Sequence, residues 1–210
     1  KQAIEIDPDY TLAHSGLGLA YFESGKYEEA IESYKQAIRI DPDFVNAHYN
    51  LGNTYCDLGK YKKAIESFKQ AIRIDPEDAR VHNFLGFAYH KSGMNKEAIE
   101  SYKQAIRIDP DLAMAHYALG VAYDELGKYK EAIESFKQAL RLDPDFAKAH
   151  CALGVAYKKS GKYKEAIESY KQALRINPDD AMVHNNLGNA YDKLGKHQEA
   201  IKSFKQAIRI

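Results

Sequence analysis

Polar and apolar side chains alternate along the chain with the period of an amphipathic helix. In the stretch Val45 to Ile74, the residues Ala47, Leu51, Gly52, Thr54 and Tyr55 fall on one face of a first helix, which Gly59 should end because glycine accepts a left-handed backbone. After Gly59, the residues Ala64, Ile65, Phe68, Ala71 and Ile72 step by one, three and four, and this predicts a second amphipathic helix. Its Glu66 precedes Lys69 and Arg73, the order of charge that the helix dipole favours. Asp75-Pro76 then stops it, since proline disfavours helix at the residue before it and suits the start of the next helix. The small residues Gly52, Ala64 and Ala71 let the two helices approach closely.

The same pattern returns along the whole chain. Asp-Pro or Asn-Pro occurs at Asp7, Asp41, Asp75, Asp109, Asp143 and Asn177, always 34 residues apart, so six units follow a six-residue stub. A lone hairpin cannot cover its own apolar face, and neighbours must therefore stack, which excludes a single central core. Leu51-Gly52, Tyr55, Gly59, Ala64, Phe68, Ala71 and Pro76 resemble the tetratricopeptide repeat, whose unit has this length, and the match recurs six times. The departure is histidine at positions 14, 48, 82, 116, 150 and 184, where the family pattern has tryptophan. The resemblance implies an all-α fold, a right-handed superhelical solenoid of antiparallel helix-turn-helix hairpins. It places repeats at 11–44, 45–78, 79–112, 113–146, 147–180 and 181–210 within an array spanning 7–210, and makes residues 1–6 the end of a preceding repeat's second helix. It also implies that the first helices line a concave surface taking extended or helical segments of partner proteins.

A second period is twice as long. The residue before the hairpin glycine alternates between serine (Ser24, Ser92, Ser160) and leucine (Leu58, Leu126, Leu194). The aromatic residue of the second helix alternates in step, with Tyr34, Tyr102 and Tyr170 set against Phe68, Phe136 and Phe204. This predicts contact, a hydroxyl partner for each tyrosine and apolar bulk for each phenylalanine; the other reading is a duplicated pair of repeats with no contact.

The residues that change between units concentrate in the first helices, whereas Glu29–Ile40 and Glu97–Ile108 are identical. Constant surface serves stacking and solubility, and the variable face is where a partner is chosen. By resemblance the groove positions include Leu12, Leu19 and Phe22, then Tyr49, Asn50 and Asn53, then Arg80, Asn83, Phe84 and Phe87. Further along they are Met114, Tyr117 and Val121, then Lys148, Cys151 and Val155, then Met182, Asn185, Asn186 and Asn189. Phe84, Phe87, Met114, Tyr117, Val121 and Val155 form the expected apolar floor, flanked by asparagines able to bond a ligand backbone. The competing reading is that some of these aromatics pack between neighbouring first helices. Family members that clamp a C-terminal carboxylate use a lysine where this chain has Tyr49 or Asn83, and no three units complete their set. Chaperone-tail binding is thus disfavoured.

Composition narrows the partner. Thirty basic and thirty acidic side chains cancel, so no overall field gathers nucleic acid or an anionic membrane. No apolar run suits a membrane span and no signal segment is seen, so the expected location is cytoplasmic. Lys148, Lys158 and Lys159 make a small basic area fit for an acidic segment. Cys56 and Cys151 lie nearly three units apart and read as reduced thiols. The chain starts without Met and stops where the next Asp-Pro is due, as an excised fragment would, and Ile201, Phe204 and Ile208 should be partly bare.

Catalytic and cofactor chemistry finds no support in the pattern. Successive units stand roughly 10 Å apart and a Zn–N bond is about 2 Å, so neither the six histidines nor Cys56, His90 and Asp124 can share an ion. The in-register histidines are read as packed neutral rings. Gly16-Leu17-Gly18 lacks the strand and the last glycine of a dinucleotide fingerprint. No serine or cysteine has the context of an activated nucleophile, and no cofactor is expected. The expected function is a protein–protein interaction scaffold holding a partner's peptide or helix. The alternatives are an element that stacks end to end with other copies, and a substrate-docking part of a larger enzyme.

Overall fold

The computed structural model of the protein describes residues 10–210, and the expected helix end at residues 1–6 lies outside the described residues. Among the described residues there are twelve helices and no strand. They group into two compact units, the first ending at Pro110 and the second running from Asp111 to Ile210. The first unit holds α1 (Thr11–Glu23), α2 (Tyr27–Ile40), α3 (Val45–Asp57), α4 (Tyr61–Ile74), α5 (Ala79–Lys91) and α6 (Asn95–Ile108). The second holds α7 (Ala113–Glu125), α8 (Tyr129–Leu142), α9 (Ala147–Lys159), α10 (Tyr163–Ile176), α11 (Ala181–Lys193) and α12 (His197–Arg209). Within each unit three hairpins stack: α2 packs on α3 and α4 on α5 in the first, α8 on α9 and α10 on α11 in the second.

The hairpin turn closes as its sequence requires. Gly59 has φ +67°, and the N–H of Gly59 donates to Cys56 O (2.9 Å) while that of Lys60 donates to Tyr55 O (2.8 Å). These two bonds satisfy carbonyls that the end of α3 would leave open, and only glycine adopts that φ without strain. At the other end Asp75 is extended (φ −126°, ψ 97°), as the residue before proline must be, and its Oδ1 accepts from the N–H of Glu77 at 3.1 Å. Pro76 does not open the next helix. It sits within the turn, and α5 begins at Ala79, capped by Asp78, whose carboxylate accepts from the N–H groups of Arg80 (2.9 Å) and Val81 (3.4 Å).

Hairpins close on an aromatic ring laid over a glycine. A Cβ built on Gly52 would lie 2.6 Å from Phe68 Cε1, and one built on Gly18, Gly120 or Gly154 would lie the same 2.6 Å from Cε1 of Tyr34, Phe136 or Tyr170. The neighbouring alanines Ala64 and Ala71 are fully buried. Hence the small residues of the first and second helices do set the approach distance of the pair.

The predicted serine–tyrosine bond is not made at Tyr170, and each serine of the alternating set donates within its own helix end. Ser24 Oγ donates to Ala20 O (2.8 Å), Ser92 Oγ to Ala88 O (2.9 Å) and Ser160 Oγ to Tyr157 O (2.9 Å), each within its own helix end. Tyr170 Oη is buried with no hydrogen-bond partner among the described residues. A hydroxyl at a helix C-terminus finds an open carbonyl within its own turn, and the serines donate there. Nothing in the structure explains why serine goes with tyrosine in the sequence.

The in-register histidines have a definite task. Nε2 of His48, His82, His150 and His184 lies 2.9 Å from the carbonyl oxygen of Pro42, Pro76, Pro144 and Pro178 respectively. A carbonyl only accepts, so Nε2 carries the hydrogen, and each ring ties the turn between hairpins to the helix that follows. Where the pattern runs out, apolar surface is left: Ile201 on α12 is 48% exposed, while its counterpart Ile167 is 5% exposed. Ile208 is also bare and Phe204 half-buried.

Candidate peptide-binding face

The first helices present two rows of side chains seven residues apart, two helical turns, which sets both rows on one face. In the first unit the rows read Leu12, Asn46 and Arg80, and Leu19, Asn53 and Phe87; in the second, Met114, Lys148 and Met182, and Val121, Val155 and Asn189. Five large apolar side chains in these rows are open: Leu12 (55%), Leu19 (45%), Phe87 (38%), Met114 (49%) and Met182 (62%). The second helices expose few such side chains, chiefly Leu142 and those of α12.

The other expected floor residues divide from these. Tyr49 stands edge-on to Phe84 (5.5 Å between centroids), and both rings lie 6.2 Å from buried Phe68. Tyr117 packs 4.9 Å from Phe146 and 5.9 Å from Phe136, and Phe22 meets Tyr27 at 5.7 Å. Val121 joins the cluster around Phe136, and Val155 and Cys151 join that around Tyr170. Phe84, Tyr117, Val121 and Val155 are therefore mainly packing residues between helices, and Phe87 and Met114 are the members of the expected floor that remain open. Rings this close to a neighbouring helix gain more from its apolar side chains than from solvent.

Polar positions sort in the same way. Asn83 is buried and its Oδ1, like that of Asn53, has no hydrogen-bond partner among the described residues. Asn50 contributes its backbone carbonyl to Thr54 Oγ1 (2.8 Å). Arg80 pairs with Asp78 (2.7 Å) and its guanidinium lies 5.5 Å over the Tyr49 ring. Burial would raise the Asp78 pKa, but hydrogen bonds from Arg80 and from the backbone of Arg80 and Val81 hold it below the usual carboxylate range. The expected basic area is mostly engaged: Lys158 Nζ donates to Asn186 Oδ1 (2.9 Å) and Lys159 pairs with Asp124. Lys148, Asn185 and Asn189 stay exposed.

Cys56 is buried and Cys151 half-buried, and neither is in a disulfide. Burial pushes the Cys56 thiol up to about 12 and the Cys151 thiol up to about 11, with Asp57 and Asp180 adding to the rise. Both are protonated at neutral pH. Iodoacetamide should therefore alkylate folded protein at pH 8 about a hundredfold more slowly than free cysteine, with the rate climbing towards pH 11 and restored at pH 8 by denaturant. Fast alkylation of the native protein at pH 8 would contradict this.

A cavity of about 450 Å³ opens between α9 and α11, lined among others by Tyr117, Lys148, Cys151, Ala152, Met182 and Val183. It was not legible in the sequence, where Cys151-Ala152 reads only as a pair of small residues. Troughs of about 600 Å³ in the first unit and 440 Å³ in the second are lined by repeated side chains, His82, Leu85, Tyr89 and Gln104 in one and His150, Leu153, Tyr157 and Gln172 in the other. No group of three or more histidine, cysteine or acidic side chains placed to hold a metal occurs among the described residues, and no described helix is long and apolar enough to cross a membrane.

The family model of the cilia and flagella-associated protein 70 C-terminal domain matches residues 3–180, and a tetratricopeptide repeat model matches residues 151–210. The small glutamine-rich tetratricopeptide repeat-containing protein 2 of Mycosarcoma maydis is 54% identical over 35 residues, 17% of this chain and 10% of that protein. Thus the chain spans only a tenth of that relative. A solved structure of MamA is 32% identical with a TM-score of 0.72, covering 79% of this chain and 97% of its own. YrrB, described as a tetratricopeptide repeat protein with an unusual peptide-binding site, is 25% identical with a TM-score of 0.70 over 87% of this chain and 94% of its own. PilW, a type IV pilus biogenesis factor, shares the fold at 23% identity and a TM-score of 0.84 over 93% of this chain and 91% of its own. A helix-hairpin architecture without strands among the described residues, a unit of 34 residues and these matches agree, and the chain belongs to the tetratricopeptide repeat family.

Proposed function

We propose that the chain is a protein-interaction scaffold that takes a peptide or helical segment of a partner protein along the exposed face of its first helices. The observation that carries this is the segregation of open apolar side chains: Leu12, Leu19, Phe87, Met114 and Met182 all stand on first helices, in two rows, where no neighbouring hairpin covers them. Scattered exposed leucines are ordinary on a protein surface, but apolar side chains held to two fixed positions of the first helices, with polar residues such as Asn46, Asn53 and Lys148 between them, offer spaced anchors within each unit to an extended or helical ligand. The likeness to YrrB supports the same reading.

A selection of random twelve-residue peptides on the intact chain tests it. Enriched peptides should bind the Phe87→Ala, Met182→Ala double variant at least tenfold more weakly, with the Tm held within about 2 °C, because exposed side chains contribute little to stability. Absence of any enriched peptide, or peptides indifferent to both changes, would remove the reading. A second reading, association between copies, is favoured by the bare Ile201 and Ile208 on α12, and light scattering that shows growth of mass with concentration would support it.

A further inference from the structure

Positions three repeats apart are equivalent, so the residues around the α9–α11 cavity can be compared one for one with those between α3 and α5. In the first unit that space holds the ring of Tyr49, backed by Phe68 and Phe84 and roofed by the Arg80 guanidinium. In the second unit the place of Tyr49 is taken by Cys151 and that of Arg80 by Met182, while Ala173 and Val183 repeat Ala71 and Val81. Two apolar wall positions are thus kept and the Tyr49 ring is missing, while Asn186 replaces Phe84, Ala152 replaces Asn50 and Tyr117 lines the cavity where the first unit has Ser15. We propose that the α9–α11 cavity is an anchor pocket for an aromatic side chain of the bound segment, with an acidic residue beside that aromatic.

The proposal rests on the peptide-binding reading and names what the ligand must carry. The chain shows in its own first unit which group fits this shape, a phenol ring. At about 450 Å³ the cavity is within the range of ligand sites, roughly 300–1,000 Å³. Cys151 stays a neutral thiol on the floor, and Met182 at the rim, mostly exposed, can lay its thioether on a ring. Lys148, lining the mouth, has no ion pair among the described residues and so can meet a carboxylate. Asp180 also lines the cavity and its carboxylate accepts from the N–H of Val183 at 3.0 Å; position 177 carries a neutral asparagine where Asp75 stands in the first unit, which leaves one acidic group fewer to repel an acidic ligand group.

The test uses p-cresol, the tyrosine side chain cut at Cβ, and 3-(4-hydroxyphenyl)propanoate, which adds a carboxylate. In the wild-type chain p-cresol should give saturable amide shifts confined to residues such as Cys151, Ala173 and Val183 at millimolar concentration. Cys151→Tyr copies Tyr49 into the pocket and should weaken p-cresol at least tenfold; Met182→Ala, a change at an exposed side chain that leaves folding alone, should weaken it threefold or more. The propanoate should bind at least threefold tighter than p-cresol at low salt, and Lys148→Gln should abolish that gain. Shifts absent or scattered in the wild type, or unchanged in both pocket variants, overturn the aromatic pocket; a propanoate with no gain overturns the acidic neighbour. If p-cresol fails while selected peptides still bind, the pocket alone falls, whereas failure of the peptide selection removes the scaffold reading as well.

Discussion

Replacing Gly52 with alanine should cost about 3 kcal/mol of stability, the upper end of what overpacking a tight core costs, and lower the Tm by about 6–12 °C. The new methyl would sit 2.6 Å from Phe68 Cε1 and 2.8 Å from Cδ1 and Cζ, well inside contact distance. Phe68 cannot swing away, because it is fully buried between α3 and α4 and packs against Tyr49 and Phe84. Helix propensity works in the opposite direction, since alanine is the better helix former by about 1 kcal/mol, and a net loss would show that sterics dominate. Pairing the change with Phe68→Leu should recover part of the loss by making room for the methyl. A Gly52→Ala protein as stable as wild type, measured by thermal denaturation, would mean that the hairpin adjusts its spacing freely, contrary to the packing described here.

Truncating Phe84 and Tyr117 together should destabilise the chain by about 4 kcal/mol, roughly 2 for each half-buried ring. Each cost is set by the rings that its own residue packs against, Tyr49 and Phe68 for Phe84, and Phe146 and Phe136 for Tyr117. Phe87→Ala should leave the Tm within about 2 °C, as an exposed side chain does. Denaturant unfolding of the three variants decides the matter: equal stability of Phe84→Ala and Phe87→Ala would return Phe84 to the list of free recognition residues. It follows that a binding assay on the Phe84, Tyr117 pair would mix lost packing with lost recognition, whereas Phe87, Met114 and Met182 report on recognition alone.

The hairpins, their turns and their repetition were legible because each depends on neighbours in sequence. Gly59 and Asp75-Pro76 impose backbone conformations on their own positions, and the stripe of Ala64, Ile65, Phe68 and Ala71 declares a helix face without reference to anything distant. The family was legible for the same reason. What was not legible depended on choices between local and distant partners. Ser24 could have met Tyr34, and instead its hydroxyl turns 2.8 Å to Ala20 O. Phe84 and Phe87 occupy the same helix face at almost the same depth in sequence, yet one step of three residues turns Phe84 towards Tyr49 and Phe68 and leaves Phe87 outward. The α9–α11 cavity was hidden because it goes with differences between units, Cys151 for Tyr49 and Ala152 for Asn50 among them, and not with any residue alone.

The bond from histidine to the proline carbonyl has a consequence for how such a chain can change its length. Pro42 and His48 are six residues apart, as are Pro76 and His82, so a 34-residue block cut just before Asp41 or Asp75 carries both halves of its own fastening. Copying or deleting such a block leaves every remaining joint complete, with no matching change needed elsewhere. The fastening also survives protonation of the ring, because an imidazolium keeps the N–H on Nε2. Gene duplication can thus add or remove repeats one at a time without breaking this fastening at the seam.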